Sequence, residues 1–574
     1  MNCILGRDNY STIDCIEIDK EIFDVPIEIG DAFVDFFGEV ASDLRKKIPH
    51  SDENFNSSIP VNPHSLSIFN PVTVTEVMET IQSLKSNSTL SKIPSKFIKL
   101  CSPYLADILA NLFNECISKS YFPTMFKLAD IEAILKGGNK KILSNYRPIS
   151  LLHIINKIFE KLLYKRLYAF FEEHNLISPN QYGFLKGRST TEANIQLLHY
   201  SLPAISHENY TMSVYLDLSK AFDCVDHSLL LDKLEKYGVR GNALKLINSY
   251  LSERRQRVRI KKTFSKERHC PVGVPQGSCL GPLFYLIYAN DVNNVLNEVN
   301  VINYADDTVL ILYGNNIEEM TNIMNRALSI ISKWYIFNFL TINPSKSKCV
   351  IFSNRRSPFS ATLNLNNEVI KINQIINYLD ISMDNKLSFS PHLEEVNKKL
   401  SQIRGITWKI TYKFDINAAK TFYYAFVYSV VSYGISAWGG ILMTHECSRT
   451  FTLFRRIILN LFSWHFPECD FNTIRTKLGL LSLMSIYKLN AMVSFYKITK
   501  SNVASAITFE TIEPMYGLRN QAEFKVPLPR TNVLKTHFYY RMPHIWNTIP
   551  SEIRNSLDID KFKHSYKSHL LSES

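Results

Sequence analysis

The 574-residue sequence contains no uninterrupted apolar run near the ~18 residues a membrane-spanning helix needs, so no such helix is expected. Its first residues, MNCILGRDNYSTIDC, show no basic segment leading into an apolar core, so no secretory leader is expected. The ten cysteines are scattered and form no CxxC pair. That argues against a zinc knuckle or a disulfide framework, and for free thiols in a reducing compartment. No internal repeat and no low-complexity tract is present. Negative charge is in deficit: 53 Asp and Glu face 65 Lys and Arg, a net charge of +12. This favours a polyanionic partner, nucleic acid ahead of an anionic membrane surface. The expected location is nuclear or cytoplasmic rather than secreted or membrane-bound.

Hydrophobic residues make up 45% and aromatics 12%, a globular composition. The length suggests about two to four domains. Residues 1–75 read as a helical lead-in, with Ile29, Ala32, Phe33, Phe36, Phe37 and Val40 at helical spacing. A polar linker is expected from Ser51 to Pro63, and further helices from Thr73 to Ser120. From Phe122 strand-like runs mix with Gly and Lys. IINKIFEKLLYKRL then reads as a basic amphipathic helix.

NQYGFLKGRST (Asn180–Thr190) follows, with Gly183 and Gly187 allowing tight turns near a bound chain. Lys136, Arg147, Lys186 and Arg188 mark this part of the chain as able to hold phosphates. MSVYLDL is an apolar strand that closes on Asp217, a costly place for a carboxylate unless it is paired or metal-bound. Asp223 and Asp226 stand where helix caps would stand, before a helix that Gly238 ends. In SERRQRVRIKK, Val258 and Ile260 alternate with Arg255, Arg257, Arg259 and Lys261, the pattern of a strand with one basic face. This face is a candidate nucleic-acid-binding surface. GVPQGSCLGPLFYLIYANDV opens on turns and continues as an apolar helix.

VINYADDTVLILY reads as a hairpin with Asp306 and Asp307 at its tip. Like charges there repel unless a cation lies beside them. If its strands neighbour the strand ending at Asp217, three carboxylates converge. Such acids suit two Mg²⁺ ions about 3.5–4 Å apart, the arrangement for in-line phosphoryl transfer. Downstream, YLDISMDNKLSF reads as a further hairpin. Helices follow from His392 and over Asn417–Val431. Residues 450–574 read as mixed structure, with a last helix near Lys561–Leu571.

The segments NYRPISLL, QYGFLKGRST, LDLSKAFDCVDH, GVPQGSCLGPLFYLIYAND, YADD and LTINPSKSK stand in the order found in reverse transcriptases of non-LTR (LINE-type) retrotransposons. The sequence resembles that family, and in particular jockey-like insect elements. The resemblance is strong over about residues 120–400 and weaker on either side. It implies an α+β right-hand polymerase of fingers, palm and thumb. An antiparallel palm sheet would carry the acids, with a helical N-terminal lead-in and a C-terminal extension. The implied divisions are 1–120 as N-terminal extension, 121–390 as fingers and palm, 391–450 as thumb and 451–574 as C-terminal region.

By the same resemblance Asp217, Asp306 and Asp307 match the catalytic triad, and the Leu218 carbonyl is a further metal ligand. Phe222 matches the residue that excludes a ribose 2′-hydroxyl. Gln276 and Gly277 match the turn beside the incoming nucleotide. Lys346 matches a lysine proposed to protonate pyrophosphate. Arg147, Lys186 and Arg188 match the basic fingers segments. The implied activity is RNA-directed DNA polymerase, with Mg²⁺ (or Mn²⁺) as cofactor. The implied partners are an RNA template, a DNA primer and dNTPs, with no membrane involved; whether an endonuclease acts in trans is left open by the sequence.

Leu185, Asp380, Ser88 and Leu90 depart from the family's usual Arg, Gly, Gly and Asp. No N-terminal endonuclease domain is expected in the first 120 residues. The chain reads as the polymerase part of a truncated or partly degraded element copy. The alternatives are a catalytically decayed RNA-binding remnant and an RNA-dependent RNA polymerase, against which Phe222 argues.

Overall fold

Tyr210–Leu216 is buried at every position, as an apolar run without alternation requires of a strand covered on both faces. The computed structural model describes residues 13–48, 55–84, 94–206, 209–355, 361–410, 412–443, 447–500, 507–512, 523–529 and 532–573. Ser88 and Leu90 lie outside these residues, as does part of the expected linker. The chain is a mixture of helix and sheet, consistent with the α+β expectation. Among the described residues no single helix is long and apolar enough to cross a membrane, and the cysteines are free thiols.

Two compact units interleave along the sequence. The first comprises Met1–Ser178, Leu218–Asn297 and Ser329–Asn343, and the second Pro179–Asp217, Glu298–Leu328 and Pro344–Ser574.

In the first unit a sheet runs Tyr146–Leu151, Leu128–Leu135, Arg255–Ile260, Thr263–Phe264. The alternation in RQRVRI buries Val258 and Ile260 as expected. They meet Ile29, Phe33, Val34 and Phe37 of the helix Pro26–Lys47 in one core. The lead-in is not wholly helical, however. A hairpin of Ile16–Ile18 and Glu21–Phe23 precedes that helix, because Ile16 is drawn into the same core and Asp19 and Lys20 take positive φ to turn the chain.

The expected helices after Thr73 form as Val74–Gln82, Ser95–Leu100 and Ser102–Ser118. The first starts on a capping box between Thr73 and Glu76. Phe122 stacks on Phe159 and meets the edge of Tyr250, closing a second aromatic core.

In the second unit six strands form a sheet in the order Asn300–Tyr304, Asp307–Gly314, Tyr210–Leu216, Lys348–Phe352, Glu368–Ile372, Leu363–Leu365. All neighbours are antiparallel except Lys348–Phe352 with Glu368–Ile372. The hairpin expected over YLDISMDNKLSF forms earlier in the chain, pairing Ile375–Tyr378 with Ile381–Asp384 and turning through Leu379 and Asp380 at positive φ. The helix Ser390–Ile410 buries Leu393, Val396, Leu400 and Ile403, as their spacing requires.

The helix expected over Asn417–Val431 is interrupted by a π-helical turn at Tyr423–Tyr428. Residues 450–574, expected to be mixed, are largely helical where described, from Ser448–Phe462 to Ile559–Ser572. Trp546, Phe562 and Phe495 from this region share one hydrophobic core with Val309 and Val350 of the sheet. The aromatic density that obscured helical periodicity is what this core is made of.

Candidate active site

The carboxylates lie at one end of adjacent strands in the second unit. Tyr304 pairs with Asp307 across a two-residue turn, Ala305–Asp306, with Ala305 at φ 56°. This is the tight hairpin expected from the sequence. The strand starting at Asp307 pairs with Tyr210–Leu216 up to Thr308–Leu216. Asp307 and Asp217 are therefore the next residues on the two strands. The strands are neighbours, as convergence of the three acids requires.

Asp217 is half-exposed, and its Oδ2 lies 3.8 Å from Lys346 Nζ. Its backbone N–H donates to Ser347 Oγ at 3.4 Å. Burial raises the Tyr304 phenol, and the charges of Tyr433, Asp307 and Glu192 add to it. The fully buried Tyr378 phenol is raised more strongly by burial, with the charge of Asp307 adding to it.

The QYG segment holds this hairpin from the side. Tyr182 N–H donates to Asn303 O at 2.7 Å, and Asn303 N–H donates to Asn180 O at 2.9 Å. Gln181 Oε1 accepts from Gly183 N–H at 2.8 Å and Ala305 N–H at 3.0 Å. A Cβ on Gly183 would stand 2.4 Å from Ala305 N. Gly183 was expected to admit a bound chain. It is needed instead for contact with the hairpin's own backbone, a long-range pairing that no local pattern encodes. Gln181 is a site-building residue that sequence reasoning missed.

Arg188 stacks its guanidinium 4.9 Å from the Tyr182 ring. It also donates to the carbonyls of Gln181 and Pro179, so it braces the same loop. Lys186 is exposed on that loop. Lys136 and Arg147 belong to the first unit, where Arg147 is exposed on the strand Tyr146–Leu151.

In the first unit a second set of predicted residues gathers. Leu218 is buried and pairs with Ile342. Phe222 stacks on Tyr285 at 4.6 Å. The Gly273–Gly277 turn is tied to the Ala221–Val225 segment. Gly273 N–H donates to Val225 O at 2.8 Å, Val274 N–H to Phe222 O at 3.0 Å, and Gln276 Nε2 to Asp223 Oδ1 at 2.7 Å. Ser150 N–H donates to Gln276 O at 2.7 Å. Gly277 has φ +119°, and a Cβ there would stand 2.7 Å from Ser150 O.

Asp226 caps the helix His227–Lys236 as expected, accepting from Leu229 N–H at 2.9 Å and pairing with Arg45 at 2.6 Å. Asp223 does not cap it. A helix has one N-cap position, Asp226 fills it, and Asp223 lies in the preceding 3₁₀ turn facing Gln276. Burial pushes the Asp223 carboxyl up, opposed by the Gln276 bond and Lys220.

The basic strand is already ion-paired. Arg255 faces Glu267 at 3.5 Å, Arg257 Asp130 at 2.7 Å, Arg259 Glu132 at 3.8 Å and Lys261 Asp14 at 3.1 Å. Phosphates would have to exchange with these carboxylates to bind there.

Among the described residues, no three Asp, Glu, His or Cys side chains are gathered closely enough to hold a metal ion unaided. Asp217, Asp306 and Asp307 offer hard carboxylate oxygens. They fit a hard divalent cation that takes its remaining ligands from water and substrate phosphates, as Mg²⁺ does.

A family described as reverse transcriptase (RNA-dependent DNA polymerase) matches residues 134–425. The chain is 30% identical over 389 residues to a probable RNA-directed DNA polymerase from transposon BS of Drosophila melanogaster, spanning 64% of this chain and 42% of that protein. It is 28% identical over 385 residues to the RNA-directed DNA polymerase from mobile element jockey of the same species, with the same 64% and 42% coverage. A putative 115 kDa protein in the type-1 retrotransposable element R1DM matches over 468 residues at 25% identity, 79% of this chain and 43% of that protein. The chain thus spans less than half the length of these relatives.

Proposed function

The chain belongs to the reverse transcriptase (RNA-dependent DNA polymerase) family, and on that premise we propose that it extends a DNA primer on an RNA template from dNTPs, as part of a non-LTR retrotransposon. The observation that carries this reading is the Asp306–Asp307 hairpin, hydrogen-bonded beside the strand that runs into Asp217. Reverse transcriptases generally use divalent metal ions.

In this reading the second unit's sheet is the palm, the strands and turns before it include the fingers, and the helices from Ser390 to about residue 450 are the thumb, followed by the C-terminal region. Asp217, Asp306 and the Leu218 carbonyl would hold Mg²⁺, with Asp307 adding negative charge beside them. The bound ions would favour the primer 3′-hydroxylate and neutralise triphosphate charge. Lys346, exposed beside Asp217, is assigned to give a proton to departing pyrophosphate. Arg147, Lys186 and Arg188 are the cations assigned to the triphosphate, Arg188 also bracing the loop. Phe222, backed by Tyr285, is assigned to sugar choice, and Gln276 and Gly277 to the base pair. The thumb helices would hold the hybrid by its phosphates, and the strand carrying Arg255, Arg257, Arg259 and Lys261 would join them only by exchanging Glu267, Asp130, Glu132 and Asp14 for phosphate.

The test is primer extension by the purified protein on an RNA template with dNTPs and Mg²⁺. Extension by the wild type, abolished by Asp306→Asn with RNA binding kept, is the expected result. Salt-sensitive RNA binding without extension would instead identify a decayed remnant, and extension untouched by Asp306→Asn would refute the assignment.

A further inference from the structure

Three main-chain bonds place the Gly273–Gly277 turn: to Phe222 O, to Val225 O and from Ser150 N–H. The His227 ring also bonds Gly273 O at 2.8 Å. A further bond, from Gln276 Nε2 to Asp223 Oδ1 at 2.7 Å, joins two side chains. It does something the others cannot. A glutamine amide has a donor end and an acceptor end, and a carboxylate accepts only from the donor end. With the nitrogen held toward Asp223, the carbonyl oxygen is turned away from it and is the acceptor the side chain offers to a ligand. Both residues line a cleft whose walls include Pro148, Ser150, Arg254 and Val274.

We infer that Asp223 is a positioning residue which, by accepting from Gln276 Nε2, presents the Gln276 carbonyl oxygen as the acceptor for a hydrogen-bond donor of the incoming deoxynucleotide. The inference rests on the polymerase reading above and adds a residue to which that reading gives no role. Asp223 does not touch the nucleotide; it sets which end of Gln276 does.

The consequence is a loss of nucleotide affinity when the sense of the amide is no longer fixed. Asp223→Asn keeps the shape of the side chain but offers a donor as readily as an acceptor, so both orientations of Gln276 become available. One hydrogen bond of this kind corresponds to a rise in KM for dNTP of roughly three- to tenfold, with kcat changing less. Gln276→Ala should raise KM to a similar extent. Because the two residues act as one unit, Asp223→Asn combined with Gln276→Ala should be no worse than Gln276→Ala alone.

A swap tests the direction of the bond. Gln276→Glu alone removes the donor and sets two carboxylates against each other. Joined to Asp223→Asn it restores a donor–acceptor pair with an oxygen still turned toward the ligand, and KM should return toward the wild-type value. The experiment is steady-state primer extension on the full chain with these five variants, and a thermal melt of each.

An unchanged KM in Asp223→Asn, multiplying losses in the Asp223→Asn/Gln276→Ala pair, or no recovery in the swap would overturn the inference. If Asp223→Asn fails to fold, Gln276→Glu and the swap carry the test. Should the wild type not extend a primer, the polymerase reading falls and this inference with it. Should it extend normally while the variants behave as wild type, only this inference falls.

Discussion

Lys233 and Asp291 form an ion pair at 2.6 Å with both side chains only 1% exposed. Lys233 also donates to Tyr288 O at 2.6 Å and lies 5.0 Å from the Tyr288 and Trp334 rings. The other Asp291 oxygen accepts from Trp334 Nε1 at 3.0 Å and Ser58 Oγ at 3.2 Å. Lys233→Met keeps most of the buried stem but leaves Asp291 with two neutral donors and no counter-charge. Removing one partner of such a pair typically costs about 3–5 kcal/mol.

Asp291→Asn on top of Lys233→Met should recover most of that loss, since the amide oxygen can still accept from Trp334. Urea unfolding of the wild type and both variants at pH 7 measures this. A Lys233→Met penalty below about 1 kcal/mol, or no recovery in the double variant, would refute the reasoning.

Two further outcomes follow from the second unit. His537 and His392 are held neutral by burial, with pKa values lowered to about 3 and about 4. The unfolded chain takes up protons at these sites from about pH 6.5 downward while the folded chain does not, so stability falls as pH drops from that point. At pH 5 each contributes about 2 kcal/mol of loss. His537 caps the helix Phe538–Thr548 through Tyr539 N–H, so His537→Asn should keep the cap and flatten the thermal-stability profile between pH 5 and 6.5. An unchanged slope would contradict the assignment. Gly183→Ala would force its Cβ against Ala305 N, at 2.4 Å, shifting the turn that carries Asp306. A stability loss of about 1–3 kcal/mol with a larger fall in primer extension is expected, and wild-type values in both assays would show that the loop yields freely.

The parts of this chain that were readable from sequence are those fixed by local pattern. MSVYLDL has no polar face, so it had to be a strand covered on both sides, and its terminal acid had to meet an edge of the sheet. The short polar break in VINYADDTVLILY left only a tight turn. What could not be read depends on partners distant in the chain. Asp223 and Gln276 are 53 residues apart, and nothing near either one distinguishes a cap from a positioning acid. Gln181 and Gly183 serve a backbone that arrives more than a hundred residues later.

The basic strand is an intermediate case. Its alternation correctly placed Val258 and Ile260 inward, yet its charge was read alone. LADIEAIL carries Asp130 and Glu132 at the same two-residue interval, and the two strands pair in parallel with Asp130 opposite Arg257. Matching alternations of opposite sign on two strand-like segments are themselves a pairing signal. The cations of Arg255–Ile260 are thus offset at close range by carboxylates. The excess behind the net charge of +12 must therefore be sought on other surfaces, and a phosphate backbone held at this strand would have to displace Asp130 and Glu132 first.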